Sequence, residues 1–187
     1  MAVHNGGELT ILNKSFDKNK QYLIKPNHGQ RGKGITYDSY TNYMNTHTPS
    51  NDTMLFQERI YDCREREVPR YIRYITVLNK RSNKVDTLLY SIYTGKKNEV
   101  ITNSQLSVNF FSCDNTNCDQ FNALEQGHLK TISDKLKKLH QTHFNDIENI
   151  GWDVILACDS AYVLEGNLCH GTPLTPYFQQ KYKKLTR

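Results

Sequence analysis

Hydrophobic positions in this chain recur mostly with a period of two and, past the middle, with a period of three to four. Gln21-Tyr-Leu-Ile-Lys25 reads as a short strand ended by Pro26, and a glycine-rich loop runs on through Gly34. Ile35 to Tyr37 predicts the returning strand, with Asp38 as the cap of a short helix to about Met44. The polar stretch Asn45 to Thr53 connects to Met54-Leu-Phe-Gln-Glu-Arg-Ile60, a buried strand, which a charged loop from Asp62 to Glu67 follows. Tyr71 to Leu78 and Thr87 to Tyr93 predict two strands joined by the polar turn Asn79 to Lys84, and Ser107 to Ser112 predicts another. Leu129, Ile132, Leu136, Leu139 and His143 then fall at helical spacing, which predicts an amphipathic helix over about Gln120 to Thr142. Lys130, Lys135, Lys137 and Lys138 form its solvated face. A hairpin pattern follows, Gly151 to Ala157 and Ala161 to Asn167 around Cys158-Asp159-Ser160, whereas the first 20 residues carry no clear pattern.

Strands outnumber helices and are mostly linked by short polar turns, so the expected class is α+β with mainly antiparallel sheet. A chain of 187 residues suits one domain, here read as two lobes over about 1–54 and about 55–187. Twelve Tyr and seven Phe supply core area despite a mean hydropathy of -0.71. The net charge of +5 suits an anionic ligand and equally an ordinary water-soluble protein. No run approaches the roughly 18 apolar residues of a membrane span. Five cysteines are an odd number, and Cys158 and Cys169 flank the hairpin, which suggests reduced thiols in a cytoplasmic protein. Cys113-x4-Cys118 with His128, His140 and His143 has the wrong spacing for the common zinc patterns.

Two features carry candidate chemistry. If Cys158 to Ser160 is the hairpin loop, Ala157 pairs with Ala161 and Asp153 lies across from Glu165, with Asn167 on the same face. Like charges opposed on a sheet are destabilising unless a cation lies between them, and such an oxygen-only set favours Mg²⁺ shared with a phosphate. A solvated face of ordinary surface acids accounts for the same three residues. The second feature is Lys25-Pro-Asn-His-Gly29-Gln30-Arg31-Gly32-Lys33-Gly34, where glycines expose successive N–H groups to an anion and the basic side chains add charge. This loop matches neither a Walker A sequence nor a Rossmann fingerprint, and a plain hairpin turn is its other reading.

Together these residues resemble the ATP-grasp enzymes. Leu23-Ile-Lys25-Pro with the glycine loop looks like that family's phosphate-holding lobe, and Gly151-Trp-Asp153 with Leu164-Glu165-Gly-Asn167 looks like its metal-bearing strands. Leu55-Phe-Gln57-Glu58-Arg59-Ile60 is similar to the hinge strand, and Arg73 to the arginine of the sugar-transfer-associated branch. The match spans roughly residues 21 to 172 in the family's order. It implies an ATP-grasp fold of two α+β lobes with the nucleotide between them. It also implies Lys25 on the α- and β-phosphates, Gly29 to Gly34 with Lys33 over the γ-phosphate, Gln57 to Ile60 along the adenine, and Asp62 or Glu65 near the ribose. Asp153, Glu165 and Asn167 would hold two Mg²⁺ ions, and Arg73 would stabilise the transferring phosphoryl group. The implied activity is ATP-dependent activation of a carboxylate for attack by an amine or another nucleophile.

Two departures place the chain away from the D-alanine–D-alanine ligases and nearer the sugar-transfer-associated branch or the tubulin–tyrosine-ligase-like proteins. Gly151 stands where those ligases carry an arginine, and Leu168-Cys169-His170-Gly171-Thr172-Pro only partly matches their pattern after the metal residues. Family members usually have a preceding α/β domain, which 20 residues are too few to form. The chain therefore reads as a minimal member, part of a longer product or a relic, and a partner domain or subunit is one way to replace the missing part. An ATP-binding module without turnover is the competing reading. A nucleic-acid-binding protein ranks below both, since Tyr71-Ile-Arg73-Tyr is the one short stretch interleaving basic and aromatic residues.

Overall fold

The computed structural model describes residues 1–28, 33–47, 52–61, 70–95, 109–113, 121–168, 180 and 183–184, with backbone alone at 70, 88–91 and 109–113. The chain forms two compact units, Met1–Ile60 and Tyr61–Arg187. The class is α+β, with a five-stranded antiparallel sheet in each unit.

Unit 1 contains β1 (Ala2–Asn5), β2 (Glu8–Ile11), β3 (Gln21–Pro26), β4 (Thr36–Ser39), α1 (Tyr40–Thr46) and β5 (Met54–Gln57), with its strands in the order β2-β1-β5-β3-β4. The patternless first 20 residues thus hold the hairpin β1–β2, and β1 pairs with β5 through Ala2↔Phe56. β1 buries only Ala2 and His4 and β2 is largely exposed, so neither shows the apolar alternation that marks a strand in sequence. Because β5 is hydrogen-bonded to β1 and β3, the expected opening of the second lobe at residue 55 falls inside unit 1, and the boundary lies after Ile60. Alternation along β3 buries Tyr22 and Ile24 with Ala2, Met54 and Phe56, and leaves Leu23 and Lys25 on the opposite face. Phe16, Tyr40 and Tyr43 complete an aromatic cluster in which the Phe16 and Tyr22 rings stack at 4.8 Å. The N-cap of α1 is Ser39, whose side chain accepts from the Asn42 N–H, while Asp38 accepts from Asn42 Nδ2 at 2.6 Å.

Unit 2 contains β6 (Arg70–Asn79), β7 (Lys84–Thr94), β8 (Asn109–Cys113), α2 (Ala123–His143), β9 (Asn149–Leu156) and β10 (Ala161–Asn167), with the strand order β10-β9-β6-β7-β8. One face of this sheet packs Ile72, Tyr74, Ile92, Ile150, Trp152, Val154 and Leu156 against Leu129, Ile132 and Leu136 of α2. The helix opens with a capping box: the Asn122 side chain accepts from the Glu125 N–H, and Glu125 accepts from the Asn122 N–H. Its buried stripe ends on His140, not on the expected Leu139 and His143, which are exposed. The rotation has a polar cause. Trp152 Nε1 donates to the Thr76 hydroxyl at 2.8 Å, Thr76 lies 2.7 Å from His140 Nδ1, and His140 Nε2 reaches the Ile147 carbonyl at 2.9 Å. The chain of donors makes His140 the Nε2–H tautomer, with the Thr76 hydroxyl donating to Nδ1. A wholly buried histidine is tolerated here because both ring nitrogens have partners.

No helix among the described residues is long and apolar enough to cross a membrane.

Candidate metal and phosphate sites

In unit 2 the site is a row across three strands. Arg73 on β6 pairs with Asp153 on β9, and Asp153 pairs with Glu165 on β10. Residues directly paired in a sheet share a face, so guanidinium and both carboxylates project to the side away from Trp152 and α2. Asn167 lies two residues beyond Glu165 and donates from Nδ2 to Glu165 Oε1 at 3.0 Å. The row therefore gathers all four unit 2 residues expected at the metal and the phosphoryl group: Arg73, Asp153, Glu165 and Asn167.

The route to that register differs from the expected one. Ala161 pairs with Leu156, not with Ala157, whose N–H instead donates to the Ser160 carbonyl across a four-residue turn. Continued without interruption, this ladder would set Glu165 against Trp152 on the helix-facing side. A bulge between Val163 and Glu165 takes up Leu164 as an extra residue, and beyond it Glu165 pairs with Asp153. Turn and bulge each shift the register by one, and the two shifts cancel. Gly166 is held by the same geometry. A Cβ there would lie 2.8 Å from Trp152 Cζ3, so glycine is what lets β10 lie over the indole.

Arg73 holds Asp153 with both arms of its fork: Nε donates to Oδ1, and Nη2 donates to Oδ2 at 2.9 Å. Both side chains are only 11% exposed, so screening by water is slight. Burial pushes the Asp153 carboxyl up to about 7; Arg73 works against that push, and Glu165 adds to it. Burial acts to lower the Arg73 pKa, but the Asp153 carboxylate outweighs it and the guanidinium is raised above its ordinary value. Behind the guanidinium, the Tyr71 ring lies 6.0 Å away and stacks on Tyr93 at 4.8 Å. Burial pushes the Tyr71 phenol well above its usual pKa, so it stays neutral.

Among the described residues no group of three or more His, Cys, Asp or Glu gathers as metal ligands. The row offers two carboxylates and one amide, a set that fits a divalent cation completing its shell with water and phosphate oxygens. The charge repulsion between Asp153 and Glu165 is the feature such a cation would relieve.

In unit 1, Lys25 stands on the outer face of β3 and is half-buried, its strand neighbour on β5 being Leu55. Gln57 and Tyr37 flank Leu23 on that same face. Lys33 and Gly34 are exposed on the β3–β4 connection, where Gly34 adopts φ +75, a left-handed conformation suited to glycine. Glu58 forms an exposed ion pair with Lys20 at 2.5 Å, Arg59 lies 5.6 Å from the Tyr37 ring, and Ile60 is half-buried. Gly29, Gln30, Arg31, Gly32, Asp62 and Glu65 lie outside the described residues, as do Cys169, His170 and Thr172.

One expectation about cysteine changes. Cys158, at the tip of the hairpin, is in a disulfide, against the reduced thiols expected there. A cytoplasmic placement expected from reduced thiols loses that support. Both ring nitrogens of His140 are engaged, by Thr76 and Ile147, and Cys118 lies outside the described residues. The sequence also concealed the importance of Thr76 and Leu164. A threonine inside a hydrophobic strand reads as an ordinary strand former, and a bulge has no short sequence signature.

Compared with models of known protein families and with curated proteins, the chain matches none.

Proposed function

We propose that the protein is an ATP- and Mg²⁺-dependent ligase of the ATP-grasp type. It would activate a carboxylate as an acyl-phosphate and pass the acyl group to an amine or another nucleophile. The observation that carries this reading is the row Arg73–Asp153–Glu165 with Asn167, in which a bulge sets two carboxylates opposite each other on a sheet. Opposed acids held by the backbone suit a cation-dependent reaction better than a solvated face does. Lys25 and Lys33, with the backbone N–H groups of the glycine loop, would hold and neutralise phosphates. Asp153, Glu165 and Asn167 would hold the Mg²⁺, whose chemistry is to polarise phosphoryl oxygens and neutralise developing charge. In the first step a carboxylate oxygen takes the γ-phosphoryl group and ADP leaves; in the second the nucleophile attacks the acyl carbon and inorganic phosphate leaves. The protein's contribution is positioning and charge, as in phosphoryl transfer generally.

The reading is tested by thermal unfolding with and without Mg²⁺-ATP, for wild type and for Glu165→Gln. A nucleotide at about 100 times its dissociation constant stabilises by about 2.7 kcal/mol. The expected result is a clear rise in Tm for wild type and a much smaller one for Glu165→Gln. No rise in wild type would overturn the ATP reading. A rise without ADP release, across carboxylates and amines supplied together, would leave a binding module in place of a ligase.

A further inference from the structure

Both carboxylate oxygens of Asp153 are already taken by Arg73, through Nε and Nη2, in a pair that is nearly buried. A divalent cation on Asp153 needs one of those oxygens, and it cannot sit beside an unshifted guanidinium without strong like-charge repulsion. We infer that Arg73 and the divalent cation are alternative partners of Asp153, and that cation binding releases the Arg73 fork to take an oxyanion. This rests on the metal-site reading above and adds to it a defined order: cation first, then a phosphate-, sulfate- or carboxylate-like anion.

The surroundings of Arg73 suit such an exchange. The stacked rings of Tyr71 and Tyr93 give the guanidinium an aromatic face to rest against when it leaves Asp153. Tyr71 stays neutral and so does not compete as an anion. Strand pairing fixes the three backbones, so only side-chain rotation is required. Without the cation, Arg73 itself partly offsets the Asp153–Glu165 repulsion. The cation would replace one neutralising charge by another and leave a planar, two-donor fork unpaired, the geometry that binds an oxyanion in bidentate fashion. Linkage then requires that each ligand tighten the other by the same factor.

The test is Mn²⁺ binding to the full chain, read as free Mn²⁺ by electron paramagnetic resonance, for wild type, Arg73→Lys, Arg73→Gln and Glu165→Gln. Lysine keeps the charge but loses the two-armed grip. Exclusion by the fork therefore predicts at least severalfold tighter Mn²⁺ binding in both Arg73 variants, whereas simple charge repulsion predicts that Arg73→Lys equals wild type. Equal binding by wild type and Arg73→Lys would overturn the exchange. In wild type, millimolar sulfate should tighten Mn²⁺ binding severalfold, and this arm needs no variant to fold. Unchanged or weaker binding with sulfate would overturn the released oxyanion site. Failure of the underlying reading looks different: wild type and all variants would leave Mn²⁺ free, or Glu165→Gln would bind as wild type does.

Discussion

The two sheets carry equal numbers of strands but hold their candidate residues in different ways. In unit 1 the described residues assigned to phosphate are Lys25 on the outer face of β3 and Lys33 and Gly34, which are exposed. In unit 2 the residues assigned to the metal stand at paired strand positions, and Asp153 is 7% exposed. Their backings differ too. Unit 1 packs aromatic rings beneath its sheet, and its helix α1 has no buried residue. Unit 2 lays the 21-residue α2 against its sheet and ties the two together through Trp152, Thr76 and His140. A strand row is set by backbone pairing before any ligand arrives, whereas an exposed glycine connection acquires its anion geometry from its own turn. The row in unit 2 is thus the preorganised one, and it is where substitutions far from the candidate site should be felt.

The largest expected effect tests that contrast directly. Trp152→Ala removes a core indole and the donor to Thr76, and should cost about 3–5 kcal/mol in urea unfolding. Phe56→Ala, wholly buried in unit 1, belongs to the same range. At a temperature where both variants remain folded, Trp152→Ala should also weaken Mn²⁺ binding and Phe56→Ala should not. Equal loss of Mn²⁺ binding in both would break the comparison.

A pair of glycines sharpens it at smaller scale. Gly166→Ala drives a methyl to 2.8 Å from the Trp152 ring, and overpacking of this kind costs about 1–3 kcal/mol. Gly34→Ala faces mainly its positive φ, a penalty of about 1–2 kcal/mol, with Pro26 Cγ at 3.2 Å. The first should disturb Mn²⁺ binding as well as stability, since the ring it meets lies behind Asp153. The second should lower stability and leave Mn²⁺ untouched. Titration calorimetry with Mn²⁺ on both variants decides it.

The smallest expected effect is on pH. Burial lowers the His140 pKa below its ordinary value, with the Ile147 carbonyl opposing. Between the unfolded value of about 6.5 and the folded one, the unfolded chain binds a proton that the folded chain does not. Stability from this group is therefore complete above about pH 6.5 and declines as pH falls toward the folded pKa. Asp153, pushed up by burial to about 7, acts in the opposite direction over the same range, so the His140 contribution is read as a difference. In urea unfolding at pH 5 and pH 7.5, wild type should lose more stability, or gain less, than His140→Gln on going to pH 5.

Much of this architecture is legible in the residues themselves. The period-two runs give β3, β6, β9 and β10 to within a residue or two, β7 begins three residues earlier than expected, and helical spacing gives α2. Asn122-x-x-Glu125 stood available as a capping signature, and it marks the start of α2 more sharply than the hydrophobic period does. A three-residue loop at Cys158 to Ser160 would by itself give the facing of Asp153 and Glu165. The molecule reaches it with a four-residue turn and a bulge at Leu164, since bulges depend on tertiary fit and leave no local pattern. Helical spacing points to Leu139 and His143 in the last turn, because a buried histidine with two partners looks, in sequence, like any polar residue. The engagement of Asp153 by Arg73 lies 80 residues apart along the chain, beyond any local spacing argument.

Trp152 is the chain's one tryptophan, adjacent to Asp153, 5% exposed, and crossed at its ring edge by Gly166 of the neighbouring strand. Its indole therefore makes the protein its own optical probe. All tryptophan emission arises behind strand β9, so fluorescence followed during unfolding reports unit 2, and unit 1 contributes tyrosine light alone. A shift of β10 across that ring, or a change in the bond to Thr76, becomes visible in unlabelled protein at micromolar concentration.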